Sequence, residues 1–462
     1  MEATLLIDIG STFTKVVAIS LDQEKLLGRV SVPTTAQTDI SIGVHDAIRE
    51  LEKRIGTPKL HIERKLACSS AAGGLRMVAI GLVPKLTAEA AKRAALTAGA
   101  RLLDVYSYKL TESDLTRLEQ QSPDMILLAG GTDGGDEATI IQNAHSLANS
   151  KLNAPVVIGG NRTAANQAFN VLTKSGKEAV VTENVMPEIG KINVQPAQSA
   201  IRQIFLHRLI RAKGLEEVQR SVANGIIPTP MASLKAASLL ANGTKEEPGL
   251  GDLLVIEIGG ATTNVYSISE GKPHTIGVIW KGLPEPYEKR TIEGDLGLRY
   301  SAPSILESVG EKKILEKSGL SQTDVKKAIL EMPLNAKKLP QTDTEASVDF
   351  GLSRICMENA VKRHVGSLEP ITTPVGTVYV QYGKDLTEVK HVIGTAGGVI
   401  YSKDPKTVMN EALYKEAEPL LLRPKKPDVH IDENYILYAI GLLSEIAPDK
   451  ALRIMKSNLR RL

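Results

Sequence analysis

The apolar positions of the first 86 residues follow two periods. Runs of β-branched and leucine residues at LLIDIG, TKVVAIS and Leu26–Val32 read as three strands. Ile40, Val44, Ile48, Leu51 and Ile55 then recur at helical spacing, and Gly56 stops that helix. Lys65–Ser69 reads as the next strand and leads into SSAAGG, a Gly/Ser loop that either approaches a ligand or merely turns. From residue 87 helix and strand alternate. Thr87 precedes AEAAKRAALTA, which Gly99 ends, Leu102–Tyr108 is strand-like, and Thr111 with Asp114 has capping-box spacing. Short apolar runs at Met125–Leu128, Val156–Ile158 and Ala179–Thr182 are separated by helical patterns at Asp136–Asn149 and Thr163–Lys174. The alternation predicts a small parallel α/β sheet. Its turns AGGTDGGD (129–136) and GGNRT (159–163) lie at strand carboxyl ends, where such sheets bind ligands or partners, or they only terminate strands. Thr229-Pro230 opens a helix through Leu240, Asn242-Gly243 ends it, and the charged TKEEPG follows. Residues 401–429, rich in Pro, Lys and Glu, read as exposed, and Asp432 as the cap of a last helix with Ile436, Ile440 and Leu443 on one face.

One pattern occurs twice. Residues 7–20 read IDIGSTFTKVVAIS and residues 256–269 read IEIGGATTNVYSIS, an offset of 249 that aligns Ile7 with Ile256, Gly10 with Gly259, Thr14 with Thr263 and Val16 with Val265. Asp8 falls opposite Glu257, and Lys15 opposite Asn264. Each copy reads as strand, Gly turn, strand: a β-hairpin with a carboxylate near its tip. A third strand-like run follows each, Leu26–Val32 in the first and His274–Trp280 in the second. Gly, Ser and Thr at such a tip let backbone N–H groups approach an anion, and a nearby carboxylate holds Mg²⁺, usually through water. Two such hairpins from two related domains would clamp a nucleoside triphosphate. The bland alternative is a pair of ordinary strand turns. A later Gly-rich turn, His391-Val-Ile-Gly394-Thr-Ala-Gly397-Gly398-Val-Ile400, suits close approach of backbone to a nucleoside.

Composition narrows the field. The chain has 462 residues, a length that allows about three structural units. A formal charge of +3 shows no basic excess for nucleic acid, and aromatic residues at 3% leave few base-stacking surfaces. Cys68 and Cys356 lie far apart, which argues against a disulfide framework or zinc ribbon and fits a reducing cytoplasm. The first residues lack a basic segment before a long apolar run, and no apolar stretch is long enough to span a membrane. There is no G-x-x-x-x-G-K-[ST] loop, H-E-x-x-H, C-x-x-C or cobalamin-binding D-x-H-x-x-G string.

DIGSTFTK, IEIGGATTN and VIGTAGGVI, in that order, resemble the first phosphate, second phosphate and adenosine motifs of the actin/Hsp70/sugar-kinase ATPase superfamily. CSSAAGGLRMVAIGLVPKLTAEAAKRAAL (68–96), RTIEGDLGLRYSAPS (290–304), QYGKDLTEVKHVIGTAGG (381–398) and DENYILYAIGLL (432–443) are similar, more specifically, to the MutL/GlmL family, accessory proteins of glutamate mutase and related adenosylcobalamin-dependent mutases. That family shares only a name with the mismatch-repair protein. The resemblance spans essentially the whole chain. It implies an α/β fold of two related actin/Hsp70-like (ribonuclease H-like) ATPase domains with an inserted small α/β subdomain. The expected division is 1–86 with 186–245 as domain I, 87–185 as the insertion, 246–427 as domain II, and 428–462 as C-terminal helices packing back on domain I.

The implied ligands are ATP and Mg²⁺, with Asp8 and Glu257 as the catalytic and metal-holding carboxylates. The implied nucleotide contacts are Gly10, Ser11, Thr12, Thr14, Lys15, Gly259, Gly260, Ala261, Thr262, Thr263, Gly394, Gly397 and Gly398. Two positions depart from the superfamily pattern. Glu257 replaces the usual Asp and reaches about 1.5 Å further, and Asn264 replaces a second Asp. Slow hydrolysis is therefore expected. Glu293, Asp295 and Arg299 either contact nucleotide, relay domain movement, or are surface charges. The implied function is an ATP-dependent reactivating factor whose clamp releases damaged cofactor from a mutase, with mutase subunits and ATP/ADP as partners, no nucleic acid, no membrane, and a homodimer left open. Other readings are a small-molecule kinase of the same fold, an iron–sulfur dehydratase activator, for which two distant cysteines are a poor ligand set, and an actin-like filament.

Overall fold

Glu2–Ile9 (β1) and Phe13–Ser20 (β2) fold back on each other about Gly10, whose N–H donates to the Phe13 carbonyl at 3.1 Å. The computed structural model describes residues 2–10, 12–35, 38–56, 61–70, 75–209, 215–320, 325–374 and 376–462. β1 is buried from Ala3 to Ile9, so both of its faces are covered and its sequence is a near-continuous apolar run. Lys25–Pro33 (β3) continues the antiparallel meander. The helix read from its apolar spacing is Ile40–Ile55 (α1), closed by Gly56 at φ 72°. His61–Ser69 (β4) completes the order β4-β1-β2-β3.

The chain forms two compact units. One comprises Met1–Thr35, Ile42–Cys68 and Ala232–Leu462, the other Ala36–Ser41 and Ser69–Met231. The second unit contains the parallel sheet expected from the alternation. Its strands are Arg76–Gly81 (β5), Arg101–Ser107 (β6), Met125–Leu128 (β7), Val156–Ile158 (β8) and Ala179–Val181 (β9), in the order β6-β5-β7-β8-β9 with every pair parallel. Between them run Glu89–Thr97 (α2), Glu112–Gln121 (α3), Ala138–Asn149 (α4) and Arg162–Lys174 (α5). Thr111 and Asp114 form the expected capping box at α3. The interior strand β5 has no counterpart in the sequence reading, because RMVAIG lies inside the stretch read with the first domain. It begins at Arg76, and Ala71–Gly74 of SSAAGG fall outside the described residues. Thr87 does not cap α2 directly. Its hydroxyl accepts from the N–H groups of Leu82 and Val83, ahead of a π-helical turn at Pro84–Ala88. Gln195–Leu209 (α6), Leu215–Ser221 (α7) and Ile226–Pro228 (β10) follow.

Thr229–Asn242 (α8) ends at Gly243 with φ 71°, as its sequence indicates. Leu253–Ile258 (β11) and Thr263–Ile268 (β12) then form the second hairpin, with Gly259 N–H donating to Thr262 at 2.9 Å. Its third strand is not His274–Trp280. Gly277 lies at φ 85°, Ile276 is fully exposed, and only Ile279–Trp280 (β13) is extended, pairing in a different sheet. The strand beside β12 is Glu288–Glu293 (β14). Ala302–Ser318 (α9), Val325–Glu331 (α10) and Asp343–His364 (α11) provide the helical layer. Ser367–Thr373 (β15) pairs with Gly376–Tyr382 (β16), which pairs in turn with β13. His391–Thr395 (β17), Gly397–Ile400 (α12), Pro405–Asn410 (α13), Asp428–Asp432 (β18), Leu437–Leu443 (α14), Pro448–Ser457 (α15) and Leu459–Arg461 (β19) complete the chain. The second-half sheet has six strands in the order β14-β12-β11-β17-β18-β19, and Ile256, Ile258, Ile305, Ile355 and Val361 are among its fully buried core residues.

The segment 401–429 is not simply exposed. Arg423 is 0% exposed, held by the Glu411 carbonyl at 3.1 Å and the Glu418 carboxylate at 3.0 Å. The sequence shows its charge but not the partners that compensate it. The C-terminal residues divide between two roles: β18 and β19 extend the second-half sheet, while α14 packs on β1.

Candidate functional site

The two hairpins repeat their register as well as their sequence. Asp8 sits across from Lys15 on β2, and Glu257 across from Asn264 on β12, each one residue pair back from the last pair before the turn. In the first hairpin the cross-strand pair is an ion pair, Lys15 Nζ donating to Asp8 Oδ2 at 2.7 Å. Asp8 is 2% exposed, and its Oδ1 lies 3.6 Å from Cys68 Sγ on β4. The ammonium of Lys15 also lies 4.5 Å over the ring of Tyr435. Burial alone would lower the Lys15 pKa, but the Asp8 carboxylate, seconded by Tyr435, holds it well above its ordinary value.

The second hairpin carries its cation elsewhere. Asn264 Oδ1 accepts from Arg290 Nη2 at 2.8 Å, and Arg290 lies on β14, not β12. Glu257 Oε2 accepts from the Tyr266 hydroxyl at 3.1 Å. Burial raises the Glu257 pKa, the Lys15 charge opposes that rise, and the Asp8 charge adds to it. The carboxylates of the two copies therefore lie within electrostatic range of one another, around Lys15.

The turns themselves are fastened differently. Thr14 is 0% exposed, and its hydroxyl meets that of Thr34 at 3.0 Å while Thr34 Oγ1 donates to the Gly10 carbonyl at 2.8 Å. Thr263, also 0% exposed, donates to the Leu296 carbonyl at 2.8 Å. Segment 296–301 wraps the second turn: Leu298 N–H donates to Gly259 O at 3.1 Å, Arg299 N–H to Gly260 O at 2.8 Å, and Ser301 Oγ to Ala261 O at 2.7 Å. Thr12, Gly259, Gly260, Ala261 and Thr262 are half-buried at the tips. Ser11 lies outside the described residues.

The Gly-rich third turn follows β17, which runs parallel to β11. A methyl group at Gly394 would meet Met409 Sδ at 2.4 Å, and one at Gly398 would meet Ile258 Cγ2 at 2.6 Å, so these glycines admit the protein's own side chains. Gly397 is half-buried and open except toward Tyr401 at 3.7 Å. Before it, Ala396 sits at φ 67°, ψ 173°, a backbone region that costs an alanine about 1–3 kcal/mol and recurs at ligand clamps. Thr395 Oγ1 donates to Asp432 Oδ2 at 2.9 Å, and Asp432 in turn accepts from the N–H groups of Ile436 and Leu437.

Glu293 and Asp295 both receive Arg363 Nη1 at 2.7 Å, and Arg299 makes a two-pronged pair with Asp349 at 2.9 and 2.7 Å. Their charges are answered within the protein. Among the described residues no group of three His, Cys, Asp or Glu is arranged to hold a metal ion, and no helix is long and apolar enough to cross a membrane. Both cysteines are buried and neither forms a disulfide. Sequence reasoning missed Tyr266, Arg290, Ser301, Tyr435 and Tyr438 around the hairpins. Only the alignment of Tyr266 with Val17, a polar-tipped residue on an apolar position, signals any of them.

The sequence model of the family described as MutL protein matches residues 4–459. The chain belongs to the MutL protein family. It is 45% identical to Protein MutL of Clostridium tetanomorphum over 459 residues, covering 99% of each chain. Among solved structures it is similar to the activator of the 2-hydroxyisocaproyl-CoA dehydratase from Clostridium difficile with bound ADPNP, at 10% identity, TM-score 0.32, and coverage of 98% of this chain and 97% of that one. It is also similar to glycerol kinase from Plasmodium falciparum with ADP, at 10% identity, TM-score 0.37, and coverage of 99% and 92%.

Proposed function

We propose that this MutL family member is an ATP-dependent accessory factor that restores activity to an adenosylcobalamin-dependent mutase of the glutamate mutase or aminomutase type. The observation that carries the reading is the pair of hairpins in matched register, bringing Asp8, Lys15 and Glu257 into one electrostatic cluster. Two carboxylates with half-buried Gly and Thr tips form a donor set suited to Mg²⁺ that arrives with a nucleotide and keeps much of its water shell. Asp8 and Glu257 would hold that ion, which supplies charge neutralisation for the phosphates. Gly260–Thr262 at the second tip and Thr12 at the first would offer backbone N–H groups and hydroxyls to phosphate oxygens. Lys15 is the cation of the set: its ammonium, now on Asp8, would turn to a phosphate oxygen and leave the Asp8 carboxylate available to the ion. Gly397, at the N-terminus of a one-turn helix, offers close backbone approach to the nucleoside. Slow hydrolysis suits a clamp whose purpose is a change of state, because the client must feel a differential affinity between nucleotide states.

The test is to inactivate a glutamate mutase by turnover, then add this protein, Mg²⁺–ATP and fresh adenosylcobalamin. Activity should return only with all three, and not with the Asp8→Ala variant. Equal recovery without ATP would make the protein a passive assembly factor. Transfer of phosphate to a metabolite would make it a kinase.

A further inference from the structure

The C-terminal turn that lies over the first hairpin contains a polar group with nothing to bond. Tyr438, on α14, is 1% exposed, and its hydroxyl oxygen is buried with no hydrogen-bond partner among the described residues. An orphaned buried hydroxyl costs about 1–3 kcal/mol relative to a satisfied one. Such a group is uncommon enough to need a reason.

Its surroundings supply one. α14 packs on β1, the strand that carries Asp8. Tyr438 meets Tyr435 edge-on at 6.3 Å between ring centroids, and Tyr435 is the ring beneath the Lys15 ammonium at 4.5 Å. The turn is held firmly. Tyr435 lies at φ 50°, and Asp432 binds the two N–H groups that open α14 and the hydroxyl of Thr395 at the end of β17. Burial, reinforced by the Asp8 charge, raises the Tyr438 pKa well above that of an ordinary phenol, so the group remains a donor.

We propose that the Tyr438 hydroxyl is a positioning donor for the Asp8 carboxylate, engaged when Lys15 leaves Asp8 for a nucleotide phosphate. In the present arrangement Lys15 donates to Asp8, and the Tyr438 hydroxyl has no partner among the described residues. Once Lys15 turns outward, Asp8 loses a charge-assisted hydrogen bond in a buried site, and the spare donor replaces it. The exchange keeps Asp8 in one orientation toward the metal while the lysine is elsewhere. This inference rests on the nucleotide-binding reading above.

Tyr438→Phe removes only the unpartnered hydroxyl. If Tyr438 merely packs, the variant is as stable as the parent or more so, and it binds nucleotide equally. The proposal instead expects Mg²⁺–ATPγS affinity to fall about tenfold by calorimetry on the full chain, with no loss in thermal midpoint. A Lys15→Met background separates the two roles further. There Asp8 already needs Tyr438 in the free protein, so adding Tyr438→Phe should lower the midpoint and change affinity little. Wild-type binding with an unchanged Tyr438→Phe affinity overturns this inference alone. A wild-type protein that binds no nucleotide overturns it together with the proposed function.

Discussion

The first and second hairpins share a backbone and differ in what fills it. At positions offset by 249, Val17 and Ala18 of β2 become Tyr266 and Ser267 of β12, and Lys15 becomes Asn264. The first hairpin thus rests on apolar side chains and keeps its charge in one adjacent ion pair. The second rests on a polar layer: Ser267 Oγ meets His364 Nε2 at 2.8 Å and Lys384 Nζ at 3.3 Å, and its cation comes from a neighbouring strand. A duplicated strand–turn–strand frame therefore fixes where carboxylates sit, while the cations and the fastening of the turn are free to diverge. The first copy keeps a lysine paired with its own cross-strand carboxylate, and the second an arginine 2% exposed and anchored to Asn264.

The sharpest way to break the comparison is at the ion pair. Asp8→Ala leaves the Lys15 ammonium without its carboxylate and should cost about 3 kcal/mol of stability by chemical denaturation. It should also abolish Mg²⁺-dependent ATP binding by calorimetry. Adding Lys15→Met should recover most of the stability and none of the binding. Recovery of binding would remove Asp8 from the site.

The turns offer the next largest effect. A methyl group at Gly297 would lie 2.4 Å from the Ala261 carbonyl carbon, so Gly297→Ala should cost about 2–3 kcal/mol and weaken nucleotide binding through the second tip. Thr34→Val, which strips the single side chain fastening the first turn to Gly10, should cost about 1 kcal/mol. Equal costs in denaturant would show that the two turns are held equally.

The polar layer under β12 predicts a pH signature of its own. Burial pushes the Lys384 pKa from 10.5 down to about 7. Between those values the unfolded chain binds a proton that the folded chain does not, so Lys384 makes stability rise with pH across that window. Lys384→Met should flatten the rise in thermal midpoint between pH 7 and 10, and a parallel pair of curves would contradict it. The smallest effect is expected at Asn264→Asp, which turns an amide acceptor into a carboxylate facing Arg290. A shift of a few-fold in the Mg²⁺ concentration for half-maximal ATPase is the expected result. Identical titrations would place residue 264 outside the metal's surroundings.

The repeat made the hairpins legible, because strand burial and turn chemistry are local. The same holds for α1, the α3 cap and the short parallel strands, whose apolar runs stand between Gly and polar stretches. Sequence alone lost β5, whose apolar run merges with the loop before it. It also misplaced the third strand of the second copy, where HTIGVIW looks strand-like but Gly277 breaks the backbone and β14 takes the edge. Around the site, Asp8 and Glu257 stood out by alignment. Tyr438, Arg290 and Ser301 did not, since their importance comes from contacts across 26 to more than 400 residues of chain. Gly394 and Gly398 were legible as glycines, but whether a glycine admits a ligand or a methionine depends on Met409 and Ile258, which no turn pattern encodes.

The order of synthesis adds one consequence. The unit holding both hairpins is assembled from three separated stretches of chain, with Ser69–Met231 forming the other unit in between. Strand β1 leaves the ribosome long before the ring that lies beneath Lys15, which belongs to residue 435. At about 5–20 residues per second, some tens of seconds separate the first hairpin from the turn that covers it. Through that interval the Asp8–Lys15 pair can form within its own hairpin, whereas its aromatic floor cannot. The intervening α/β unit has its five-stranded parallel sheet translated well before then, so the surroundings of Asp8 are completed after that sheet although Asp8 itself is made before it.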